Sequence, residues 1–236
     1  MVNFPGKDKY GVEDLRQIVE ILRGEDGCPW DKVQTHDTLR RELLEETAEL
    51  CEAIDLKDFA LMREELGDVL LQLIFHASIE RQNGRFDLDD VADAECRKMI
   101  ARHPHVFAGE TVSGVEEELS IWEARKRVEK GQATAADAMD AVCRTLPGLW
   151  RAEKLQKKAA NGAPETGEAE ALCAALRDST DALEAAFDTP DAEKALGALL
   201  YAAVRAARRA GLDPEAALHA ECERQIEAQR SAESVQ

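Results

Sequence analysis

Basic residues are in short supply in this sequence. Thirty Lys and Arg stand against 48 Asp and Glu, giving a formal net charge of −18 and a pI near 4.7. That balance excludes general nucleic-acid binding and docking on anionic membranes, because both need a basic surface. It still permits a phosphate-bearing small molecule held through cations. Cysteine pairs are missing too. The six cysteines (28, 51, 96, 143, 173 and 222) include no C-x-x-C, which argues against a cysteine-built zinc site, and their scatter reads as reduced cytosolic thiols. No apolar run opens the chain, so no signal peptide is expected. The longest apolar stretch, Val69 to Ala77, is broken by Gln72 and His76 and is too short to span a bilayer. The expectation is a soluble, cytoplasmic protein with neither a membrane nor a nucleic-acid partner.

Aromatic residues are few, at 5%, while Ala, Leu and Glu are abundant. No segment alternates as a strand does, so the fold class is all-α. Apolar residues at Val12, Leu15, Ile18, Val19 and Leu22 predict a first helix stopped by Gly24. Residues Gly24 to His36 read as a loop, Thr38 to Asp55 as a helix, and Leu56 to Asp58 as a tight connection. A long helix follows from Phe59 to Gln82. The next is opened by Asp89 or Asp90 and stopped by Pro104, and "GVEEELSIWEARKRVEK" makes a fifth. Beyond these, helices are expected over Ala135–Lys158, Glu168–Phe187, Pro190–Ala210 and Pro214–Arg230, with Asn161 to Glu168 the most linker-like stretch.

The chain carries an internal echo. "LGDVLLQLIFHAS" from Leu66 and "LGALLYAAVRAAR" from Leu196 are both apolar helices opened by Leu-Gly. Each is followed by a glycine-containing break and a short helix opened by Asp. This pattern predicts two related helical units.

Carboxylates concentrate in the first unit. Glu46 and Glu49 are three apart, as are Glu65 and Asp68, so each pair shares a helix face. Folding the two helices about Lys57 puts Glu49 and Glu65 eight residues from the turn and Glu46 and Asp68 eleven. In an antiparallel pair rising about 1.5 Å per residue, these are two level rungs. Four facing carboxylates repel and raise one another's pKa unless a counter-charge intervenes, and hard divalent cations with oxygen ligands supply one. Glu42, Glu52 and Glu64 read instead as a solvated face balanced by Arg40, Arg41 and Arg63. Glu45 falls between the two readings. No histidine has Glu three residues before it, which excludes a ferritin-type di-iron site. G-x-x-x-x-G-K-[ST] and G-x-G-x-x-G are both absent, so a nucleotide would be held by metal and side chains. His36 is read as packing or capping near the second helix, His76 as a core histidine, and His103 and His105 as capping residues.

"GCPWDKVQTHDTL", "LLEETAELCEAI", "EELGDVLLQLIFHA", "FDLDDV", "KMIARHPHVF" and "IWEARK" stand in this order and together resemble the signature run of the MazG family, over about residues 10 to 130. The resemblance implies an all-α helical bundle that pairs into a homodimer. It also implies Mg²⁺-dependent hydrolysis of nucleoside triphosphates (NTP or dNTP) to NMP and pyrophosphate, in nucleotide-pool house-cleaning, with Mn²⁺ as a possible substitute ion. By position it makes Glu46, Glu49, Glu65 and Asp68 the metal ligands and Glu45 the residue that positions or deprotonates water. Lys98 and Arg102 become a phosphate-holding pair, and Trp122 and Lys126 a motif near the base or the dimer contact. The competing classes are a non-catalytic dimerisation or nucleotide-sensing module and a phosphatase releasing orthophosphate.

The chain departs from a two-site pattern in its second half. Matching Leu196-Gly197 to Leu66-Gly67 puts Ala195 and Ala198 where Glu65 and Asp68 stand. The expected organisation is therefore a catalytic unit over 1–130 and a degenerate, structural or dimerising unit over 131–236.

Overall fold

In a computed structural model, residues 4–111 and 113–234 are described. Among them are twelve helices and no strand. The chain forms two compact units, Met1–Thr111 and Val112–Gln236.

In the first unit α1 (Val12–Arg23), α3 (His36–Leu56) and α5 (Leu88–Arg102) all pack on α4 (Phe59–Gln82). Local chemistry sets the ends of the α3–α4 hairpin. Thr35 caps α3 by exchanging hydrogen bonds with Thr38. Lys57 ends α3 in the left-handed conformation at φ 56°, and Asp58 then caps α4 by accepting from the amides of Ala60 and Leu61. The core is Val19, Leu39, Ile74, Phe75 and Ile79, flanked by Leu15, Leu70, Leu71 and Leu88. The apolar residues that predicted α1 and α4 thus meet in one cluster, toward the end of α4 distant from the Lys57 turn.

The expected loop between α1 and α3 holds a one-turn helix, α2 (Pro29–Lys32), and Pro104–Phe107 forms a similar one, α6. Pro at the first helical position pre-sets φ in both. Buried Arg23 ties α2 down, donating to the carbonyls of Asp31 (2.7 Å) and Gln34 (3.3 Å) and to Gln82 Oε1 (2.9 Å) on α4. The same corner needs Gly27. A Cβ there would press well inside van der Waals contact with the backbone carbonyl oxygens of Ile21 and Leu22, neither of which can swing away. Gly27→Ala is expected to destabilise the protein by about 1–3 kcal/mol, read as a lowered urea midpoint at unchanged slope.

The second unit comprises α7 (Val115–Glu129), α8 (Ala135–Asp140), α9 (Gly148–Ala159), α10 (Ala169–Ala186), α11 (Ala192–Ala210) and α12 (Pro214–Glu233). The helix expected over Ala135–Lys158 is two helices, because the chain turns after Asp140 and Pro147 admits a fresh start at Gly148. Helix α7, which its sequence position placed with residues 1–130, groups with this second unit. The units have parallel internal plans. A hairpin (α3–α4, α10–α11) packs its second helix against a preceding helix (α1, α9) and a following Asp-capped one (α5, α12). The linker-like stretch is strapped down: Arg205 pairs with Glu165 at 2.7 Å, and Arg208 and Arg209 donate to the carbonyls of Ala163 and Gly167.

Candidate metal centre

The α3–α4 hairpin joins three of the carboxylates that sequence spacing singled out. Glu46, Glu49 and Glu65 each offer a carboxylate oxygen, and these oxygens all lie within 4.8 Å of one another. Glu49 is exposed, Glu46 half-buried and Glu65 buried at 7% exposure, so the cluster reaches from solvent into the helix interface. Burial pushes the Glu65 carboxyl above the usual glutamate range, and the nearby charges of Glu49, Asp68 and Glu46 push it further. Glu46 is raised in the same way, first by burial, then by Asp68 and Glu49. Asp68 is therefore an electrostatic neighbour of the cluster, half-buried on α4. The donors are oxygen only, crowded and short of positive charge, which fits a hard divalent cation.

Glu45 lies apart on the solvent side of α3, paired with Arg41 at 2.9 Å. Lys98 and Arg102 share α5 in the same unit; Lys98 forms an ion pair with Glu95, and Arg102 is buried. Trp122 and Lys126 lie on α7 in the second unit. They meet each other there, with Lys126 Nζ 4.5 Å from the Trp122 ring centre and 3.8 Å from Glu123. Burial pushes the Glu123 carboxyl up, but the Lys158 ion pair at 2.6 Å and Lys126 outweigh it and leave it below the usual range.

Periodicity did not reveal a polar network at the far end of the hairpin. His36, in the first turn of α3, stacks on His76 of α4 with ring centres 4.9 Å apart and their Nδ1 atoms at 2.7 Å. His36 Nε2 lies 2.6 Å from buried Glu80, which Arg85 also grips. Burial and then His36 lower the pKa of His76, so it is a packed histidine with a specific partner. The Arg85 and His36 hydrogen bonds pull the Glu80 carboxyl down to about 2. A carboxylate with a depressed pKa gives stability that is present above the ordinary range near 4.5 and lost as pH falls toward about 2. Glu80→Gln is expected to melt lower at neutral pH, with the gap to wild type closing over that window. Thermal melts across a pH series check this. His103 closes α5 as expected, its Nδ1 2.7 Å from the Met99 carbonyl.

Comparison with known proteins adds an independent line. A family profile described as the MazG nucleotide pyrophosphohydrolase domain matches residues 34–107, the span of α3 through α6. The chain is 38% identical over 213 residues to the nucleoside triphosphate pyrophosphohydrolase of Escherichia coli (strain K12), covering 88% of this chain and 81% of that protein. It is 37% identical over 206 residues to the nucleoside triphosphate pyrophosphohydrolase/pyrophosphatase MazG of Thermotoga maritima, covering 87% and 79%. A nucleoside triphosphate pyrophosphohydrolase of Mycolicibacterium smegmatis matches at 49% identity over 129 residues, covering 54% of this chain and 40% of that protein.

Proposed function

The chain belongs to the MazG nucleotide pyrophosphohydrolase family, and on that premise we propose that this nucleoside triphosphate pyrophosphohydrolase works through Mg²⁺ held in its first unit, releasing NMP and pyrophosphate from NTP or dNTP. The observation that carries the reading is the triad of carboxylate oxygens from Glu46, Glu49 and Glu65 within 4.8 Å. Asp68 completes the ligand set. Bound there, Mg²⁺, or Mn²⁺ in its place, would supply positive charge to phosphate oxygens and lower the pKa of water.

The chain's own residues do the rest. Crowding makes Glu46 and Glu65 poor places for uncompensated charge, so they favour a cation over bare ionisation. Glu45 takes the role of orienting or deprotonating the attacking water. Its exposed pair with Arg41 is worth roughly 0.3–0.5 kcal/mol, too little to hold it from that task. Lys98 and Arg102 meet the phosphate charge, Lys98 exchanging its surface glutamate partner for phosphate. Trp122 and Lys126, already in contact, contribute a flat ring and a cation to substrate binding.

Pairing into a homodimer is supported by apolar side chains left exposed on the hairpin, Leu44, Leu66 and Leu73 among them. Sedimentation at twice 26.1 kDa is the expected result. The second unit is read as degenerate and structural, because Ala195 and Ala198 offer no ligand. No helix among the described residues is long and apolar enough to cross a membrane.

The test is product identity. Purified protein incubated with ribo- and deoxynucleoside triphosphates and Mg²⁺ is expected to yield NMP and pyrophosphate by chromatography, and to yield nothing with EDTA or in Asp68→Ala. NDP with orthophosphate would replace this reading with a phosphatase, and binding without products would replace it with a sensing module.

A further inference from the structure

One helical turn beyond the carboxylate cluster, two buried oxygens have no partner. Glu42 Oε2 on α3 and Gln72 Oε1 on α4 are shielded from solvent and hydrogen-bonded to nothing. Gln72 as a whole is only 8% exposed. Buried polar atoms are nearly always satisfied, and an orphan in a polar setting marks a place for an ion or an ordered water.

The two orphans belong to one level of the hairpin. Glu42 precedes Glu46 by four residues and Glu49 by seven; Gln72 follows Asp68 by four and Glu65 by seven. Each therefore lies on the same helix face as the cluster. Both are fifteen residues from Lys57, just as Glu49 and Glu65 are eight and Glu46 and Asp68 eleven. The first rung is realised by the meeting of Glu49 and Glu65, whose carboxylate oxygens lie within 4.8 Å of each other. Glu42 and Gln72 make the third, about 6 Å further along the axis at 1.5 Å per residue. Glu42 and Glu46 stand four apart on that face, the spacing at which two carboxylates on a helix repel each other.

We propose that Glu42 and Gln72, sharing Glu46, form a second divalent-cation site next to the one at Glu46, Glu49 and Glu65. The donors are a carboxylate, an amide carbonyl and a shared carboxylate, an all-oxygen set suited to Mg²⁺ or Mn²⁺. A bridging water would satisfy the two orphans but leave Glu42 repelling Glu46; a cation answers both. The second ion would extend the positive surface available to a polyphosphate along the hairpin. The inference rests on the first cluster being a metal site.

The probe is Mn²⁺ alone, titrated into the metal-free full-length protein, with the unbound ion counted by electron paramagnetic resonance. Two ions per chain are expected for wild type and one for Glu42→Gln. Gln72→Glu, which adds a charged ligand, is expected to tighten the second ion about tenfold. Equal stoichiometry in wild type and Glu42→Gln overturns the proposal and leaves a water as the occupant. If the single ion is then lost in Glu65→Gln, the first site stands without the second. Failure to bind any Mn²⁺ overturns both. Circular dichroism establishes that each variant is folded. Should Glu42→Gln fail to fold, unchanged affinity in Gln72→Glu overturns the proposal by itself.

Discussion

Glu65→Gln is expected to lower kcat/KM by about a hundredfold or more while leaving the metal-free protein at least as stable as wild type. The two halves of this result follow from one geometry. Glu65 is buried on α4 beside Glu49, Asp68 and Glu46, and burial together with those charges raises its pKa. A carboxyl whose folded pKa is raised costs stability, a cost that builds as pH climbs from the ordinary range through the raised value. Glutamine keeps the shape, removes the charge and so removes the cost. It also removes a carboxylate from the proposed metal site, so Mg²⁺ is expected to raise the melting temperature of wild type and to have much less effect on the variant. Steady-state kinetics beside thermal melts with and without Mg²⁺ check all three statements. A variant that loses activity and also melts far lower without metal would make Glu65 a structural residue.

Ile74→Ala is expected to cost about 2–5 kcal/mol, a large share of the roughly 5–15 kcal/mol that holds a typical domain folded. Ile74 is 1% exposed in the cluster formed by Val19, Leu39, Phe75 and Ile79. It sits on α4, the helix that carries Glu65 and Asp68 and on which α1, α3 and α5 all pack. Truncation leaves a cavity where three helices converge, and close-packed neighbours collapse into it only in part. Urea unfolding followed by circular dichroism should show the lowered midpoint. Loss of turnover should track the unfolded fraction, because Glu65 and Asp68, two of the proposed ligands, ride on this helix.

Much of the site is legible in the sequence because it is local. A hairpin with a two-residue connection has its register set by the turn, so equal offsets from Lys57 are enough to pair Glu49 with Glu65. The caps are local too, since Thr35, Asp58 and Asp213 act on amides two or three residues away. Yet the expected starts of α3 and α5 fell late: α3 begins at His36 and not Thr38, and α5 is capped by Asp87 and not Asp89 or Asp90. The bounds of α4, Phe59 to Gln82, agree with expectation. The break inside Ala135–Lys158 is marked locally by Pro147 and Gly148, which the single-helix expectation overlooked, whereas α2 is hidden because one helical turn is too short to carry a period.

The sequence by itself determined that the chain is helical, where the acidic rungs fall, and that the second hairpin has alanine where the first has Glu65 and Asp68. Those properties depend on neighbours three, four or seven positions away and on turn chemistry. Only the tertiary structure decided that Glu42, spaced like a surface acid, hides an unpartnered oxygen, that His36 finds His76 and Glu80 across forty or more residues, and that α7 groups with the second unit. Burial and long-range pairing depend on which helix faces meet. That is settled by the packing of whole surfaces, and no local window of the sequence contains it.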